Sequence, residues 1–99
     1  MQSTLWSIMV RERVPEILIC ILDKGSEEIY TSIIAREINM TLSHIVKLLK
    51  YFEATGLINV EAHGRIKVLS LTKTGREIAE HFKKIKEISK SKVVLVDKL

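Results

Sequence analysis

Between Thr31 and Gly75 the chain reads TSIIAREINMTLSHIVKLLKYFEATGLINVEAHGRIKVLSLTKTG, and its hydrophobic spacing changes period twice. Ile34, Ala35 and Ile38 fall on one helical face while Arg36 and Glu37 point away. Thr31 is placed to cap that short helix, and Asn39 suits the left-handed turn that ends one. Thr41 or Ser43 then caps a second helix whose apolar residues Ile45, Leu48, Leu49 and Phe52 repeat at three and four, with Gly56 as its stop. The period falls to two in Leu57–Ala62 and Ile66–Leu71, both rich in β-branched residues, and His63-Gly64-Arg65 between them is hairpin chemistry. Thr72 caps a last helix with a stripe of Ile78, Ala79, Phe82, Ile85 and Ile88.

That order (short helix, tight turn, longer helix, hairpin, helix) predicts an α+β, mostly α fold: a winged helix-turn-helix with a two-stranded β wing and terminal helices for dimerisation. The 99 residues make one domain. Its parts are an N-terminal helical region over 3–24, the helix-turn-helix over 31–55, the wing hairpin over 57–71, a C-terminal helix over 72–90 and a tail over 91–99. Pro15 fits the first turn of a helix carrying Ile17, Leu18, Ile21 and Leu22, which favours a break near Arg13 over one kinked helix from residue 3. Gly25 is the expected stop of that helix, and Glu28-Ile29-Tyr30 is a short β-like run. Val93–Val96 is also β-like, with its partner open: an extra strand, a dimer contact or a tail.

Charge is unevenly placed along this chain of net +4. Residues 1–40 carry −2, residues 41–71 carry +2 and residues 72–99 carry +4. The second helix of the pair, the hairpin and the last helix are therefore the basic parts, as a polyanion-binding side would be. The Lys83–Lys92 run fits a solvated helix face equally well.

On the second helix, burying Ile45, Leu49 and Phe52 leaves Thr41, Ser43, His44, Lys47 and Lys50 outward. Ser43, His44 and Lys47 have the reach and donors for base edges in a major groove, and Lys50 for phosphate. Val46 is a misfit there, good for a thymine methyl or for partial packing. The hairpin offers His63 at its tip with Arg65 and Lys67 for backbone or shallow minor-groove contact. Lys73 and Arg36 are further phosphate candidates, Arg36 equally an ion-pair partner for a nearby acid.

The pieces Tyr30–Ile38, Leu48–Ile58 with its FEATGLI ending, and LTKTGREIA over Leu71–Ala79 resemble the MarR-like winged-helix regulators, including their small archaeal members. The resemblance covers roughly residues 14–82. It implies a transcriptional regulator that binds double-stranded DNA as a homodimer through terminal helices. It places a recognition helix at 41–55 and a wing at 62–66. The chain is short for this family, lacking most of the helical dimerisation region and with it the usual room for a small-molecule effector.

Catalysis is not expected. His44, His63 and His81 sit on different elements, and no H-x-x-x-H, C-x-x-C or D-x-D spacing or phosphate-binding glycine loop occurs, so neither metal nor cofactor is expected. Cys20, the single cysteine, reads as a packed small hydrophobe rather than a redox sensor, and fits a reducing cytoplasm. The start MQSTLWSIMVRER lacks the features of a signal peptide, and no apolar run is long enough to span a membrane. Trp6, Met9 and Val10, with Phe82, Ile85 and Ile88, are the expected dimer surface, the alternative being that the two terminal helices pack on each other within one chain. Two other uses of the same fold stay open: an architectural, chromatin-type DNA binder and a protein-docking module.

Overall fold

The computed structural model describes residues 13–25 and 29–90. The elements run α1 (Val14–Lys24), β1 (Ile29–Tyr30), α2 (Thr31–Ile38), α3 (Leu42–Ala54), β2 (Ile58–His63), β3 (Ile66–Leu71) and α4 (Lys73–Lys90). Trp6, Met9, Val10 and the 91–99 tail lie outside the described residues, as does the first part of the 3–24 helical region.

Helix α1 begins where Pro15 allows, after Arg13 at φ 60, and Arg13 reaches forward to the Glu16 carboxylate at 2.6 Å. Val14, Ile17, Leu18 and Ile21 on its inner face are fully or almost fully buried. Helix α2 starts without the predicted cap: Thr31 is its first helical residue, and the cap position falls to Tyr30, which makes no side-chain capping bond. The displacement follows from β1, because pairing of Tyr30 with Val68 keeps the chain extended up to that residue. Asn39 ends α2 in the left-handed conformation, φ 61, with the Met40 N–H returning to the Ala35 carbonyl at 3.0 Å.

The same closure ends α3. Gly56, φ 78, supplies the left-handed residue; its N–H donates to the Glu53 carbonyl at 3.1 Å and the Leu57 N–H to the Phe52 carbonyl at 2.8 Å. The segment FEATGLI is thus a complete helix stop, with the Phe52 and Glu53 carbonyls satisfied and Leu57 turned into the core at 0% exposure.

The sheet is antiparallel with order β1-β3-β2, so a third strand joins the expected hairpin. Register runs from Ile58 opposite Leu71 to His63 opposite Ile66, leaving Gly64-Arg65 as a two-residue loop. Gly64 at φ 67 provides the positive angle that such a loop demands at its first position. At the root of the hairpin, Thr72 joins three elements. Its N–H donates to the Leu57 carbonyl at 3.0 Å and its hydroxyl donates to the Gly56 carbonyl at 2.5 Å. The same hydroxyl accepts the Gly75 N–H at 3.0 Å, which caps α4. FEATGLI and LTKTG therefore belong together because the first is the landing surface of the second.

All four helices and the sheet share one core that includes Ile17, Leu18, Ile34, Ile45, Phe52, Leu57, Ile58, Leu69 and Ala79. Among the described residues no polar or charged side chain is buried. Helices α1 and α4 pack on each other, and Lys83 bridges to Asp23 at 2.7 Å between them.

Candidate nucleic-acid interface

Helix α3 is the centre of the site. Of the two candidate caps Thr41 is the one used, accepting the His44 N–H at 3.3 Å, which leaves the Ser43 hydroxyl uncommitted to capping. Thirteen residues at a rise of about 1.5 Å give a rod roughly 20 Å long. Ile45, Leu48, Leu49 and Phe52 anchor it to the core, so its outward azimuth is set by packing rather than by any ligand. Thr41, Ser43, Lys47 and Lys50 are exposed and His44 is half-buried.

The wing stands beside it. Arg65 is the second residue of the hairpin loop and is exposed, as is Lys67 two residues on. His63 has an acidic neighbour, with Nε2 3.3 Å from the Glu61 carboxylate. Arg65, Ile66 and Lys67 share one open recess of about 470 Å³ with Leu42 and Val46 of α3 and with Tyr30, Thr31 and Ser32 at the start of α2. A smaller cavity of about 80 Å³ shares Thr31, Val46 and Lys67 with it and is lined also by Lys50 and Glu53. The fold therefore sets Lys50, Arg65 and Lys67 along two neighbouring hollows that share Lys67, with the start of α2 at their edge.

Arg36 and Lys73 are exposed on α2 and α4 but line neither hollow. Among the described residues Arg36 makes no ion pair. The hollow also holds residues that sequence reasoning passed over. Leu42 is 53% exposed and Ile66 48%, beside Val46 at 38%. The available signal was the i, i+4 spacing of Leu42 and Val46 outside the buried stripe.

Away from this face, Lys24 of α1 and Glu37 of α2 form an ion pair, and the Cys20 thiol donates to the same Glu37 carboxylate at 3.3 Å. The Lys24 and Cys20 hydrogen bonds hold the Glu37 carboxyl below its ordinary value. Burial, together with that carboxylate, pushes the Cys20 thiol up to about 11. Cys20 is thus half-buried and hydrogen-bonded rather than simply packed as a hydrophobe. Its thiolate population at pH 8 is expected to be about a hundredfold below that of an ordinary cysteine. Iodoacetamide alkylation of the folded protein at pH 8 should be slower by a similar factor and recover in urea; equal rates would contradict the contact. The bond to Asp23 raises Lys83, so the first member of the Lys83–Lys92 run is already an ion-pair partner within the chain.

Among the described residues no group of three or more His, Cys, Asp or Glu is placed to hold a metal ion, and no helix is long and apolar enough to cross a membrane.

No family model matches the chain. It is 31% identical over 83 residues to an uncharacterized protein of Archaeoglobus fulgidus, covering 82% of this chain and 87% of that one. The crystal structure of AF1382 from Archaeoglobus fulgidus superposes with a TM-score of 0.76 at 31% identity, over 83% of this chain and 92% of the other. The MarR family transcriptional regulator SPO1453 from Silicibacter pomeroyi superposes with a TM-score of 0.68 at 26% identity. That match covers 80% of this chain but 57% of the regulator. MepR, a transcription regulator of a Staphylococcus aureus multidrug efflux pump, shares the fold at 23% identity, with a TM-score of 0.69 over 78% of this chain and 58% of its own. The chain thus spans little more than half the length of these two proteins, which are regulators, not enzymes. With its helix pair, basic wing and FEATGLI–LTKTGREIA junction, the chain is a MarR-like winged helix-turn-helix, similar in fold to the MarR family regulator SPO1453.

Proposed function

We propose that this protein is a sequence-reading transcription regulator of the cytoplasm that binds double-stranded DNA as a homodimer. The observation that carries the reading is the exposed row Ser43, Lys47 and Lys50 on α3, standing beside the exposed Arg65 and Lys67 of the wing. In this reading α3 enters the major groove, with Ser43, His44 and Lys47 at base edges. Arg65 and His63 lie on the backbone or minor groove, and Arg36, Lys50, Lys67 and Lys73 take phosphates. Thr41 acts through its cap, fixing the helix start against the groove. Two-fold pairing would place two such helices about 34 Å apart, one turn of duplex. The apolar stripe of α4 supports pairing: Ile85 and Ile88 are each 58% exposed beside half-buried Phe82.

A salt titration tests the function. Binding to a duplex selected from a random library should be tighter than to an unselected duplex, and both should weaken steeply with salt. Lys47→Ala should cost about 1–3 kcal/mol on the selected duplex and little on the unselected one. Arg65→Ala should weaken both and lower the salt slope by about one. Both variants should unfold like the parent. Equal affinity for all duplexes would make the protein an architectural binder, and no binding at low salt would remove the DNA reading altogether.

A further inference from the structure

The hollow between α3 and the wing combines two chemistries. Its rim carries Arg65 and Lys67, with Lys50 on the smaller cavity beside it, while Leu42, Val46 and Ile66 present large aliphatic groups to solvent. The three line one recess, and a ligand that covered them would remove apolar surface from water. Leu42 and Val46 lie one helical turn apart on the side of α3 that faces the wing, off the axis of the buried stripe. Glu53, itself exposed, is the one acidic residue lining the two cavities.

Building on the DNA reading above, we infer that Val46, with Leu42 one turn before it, contacts the C5-methyl groups of thymines, making this aliphatic strip a determinant of base preference. The cationic rim calls for a polyanion, and the strip calls for apolar groups displayed between phosphates. Duplex DNA meets both requirements through the thymine methyl, which stands in the major groove. RNA does not, since uracil lacks the methyl and the A-form major groove is too narrow for side chains. The spacing also fits. Four residues of helix rise about 6 Å, close to two base steps of about 3.4 Å. Two methyls on one strand, separated by one base, are therefore within reach of the pair. The lysines and arginine hold the backbone on either side but carry little information about which base is present.

The experiment uses the full chain and the duplex it enriches from a random library, with each thymine replaced in turn by deoxyuridine. This removes one methyl and keeps every hydrogen-bonding group. Wild-type protein should lose about fourfold in affinity at one or two positions, the expected cost of uncovering one methyl. Val46→Ala or Leu42→Ala should bind the thymine and uracil duplexes alike at the corresponding position, while Lys47→Ala should bind more weakly but keep the uracil penalty. Both apolar positions are exposed enough to truncate without opening the core, and circular dichroism melting checks this for each. Uracil tolerated at every position of a tightly bound duplex would overturn the inference while leaving DNA reading intact. So would a uracil penalty that survives in both apolar variants. Failure to enrich any duplex would instead overturn the DNA reading on which it rests.

Discussion

Replacing Gly75 with alanine is expected to destabilise the protein by about 3 kcal/mol or more, although the residue lies in a helix where alanine is intrinsically better by about 1 kcal/mol. A Cβ at this position would stand 1.9 Å from the Leu57 carbonyl oxygen and 2.8 Å from its carbon. Both are backbone atoms, so no rotamer change relieves the clash. That carbonyl already accepts the Thr72 N–H, and Leu57 is completely buried. Alanine therefore forces α4 away from the start of β2 and breaks the Thr72 junction. A domain of this size is held by roughly 5–15 kcal/mol, so the loss is a large share of the whole. Urea unfolding with unchanged slope measures it. Thr74→Ala, one residue earlier and exposed, should stay within about 0.5 kcal/mol. A Gly75→Ala protein as stable as the parent would mean that α4 does not cross so close.

Phe52→Ala should cost about 3–5 kcal/mol, for a different reason. The ring is fully buried at the meeting point of α3 with the rest of the core. Its removal leaves a cavity that its neighbours, themselves anchored in three helices and a sheet, cannot collapse to fill. Tyr51 next to it is 44% exposed, and truncation there should be mild. Thermal or urea unfolding of both variants separates the two positions. A loss below about 1.5 kcal/mol at Phe52 would show that the α3 anchor is looser than its burial indicates. At temperatures where the Phe52→Ala variant remains folded, its DNA affinity should match the parent's, since the ring faces away from the exposed lysines. Stability then resides on the face of α3 opposite the one proposed for recognition.

The sequence carried most of the local decisions. Repeats at three and four marked the inner faces of α2 and α3, alternation marked β2 and β3, and Asn39, Gly56 and Gly64 marked the points where the backbone must turn left-handed. Caps were legible where the competing structure was also local: Thr41 and Thr72 hold their helices as expected. Thr31 does not, because strand β1 pairs with β3 some forty residues away and sets the helix start from outside.

What the tertiary structure alone decided has that same non-local origin. The need for glycine at Gly75 comes from the Leu57 backbone, the altered thiol of Cys20 from Glu37 on the next helix, and the pairing of Lys83 from Asp23. The shared hollow of Val46, Leu42 and the wing depends on where the hairpin root is clamped. Periodicity within a segment records which side of that segment avoids water, because burial repeats with the geometry of the helix or strand itself. It holds no record of which distant atom occupies the space on that side, and that is settled only when the elements pack.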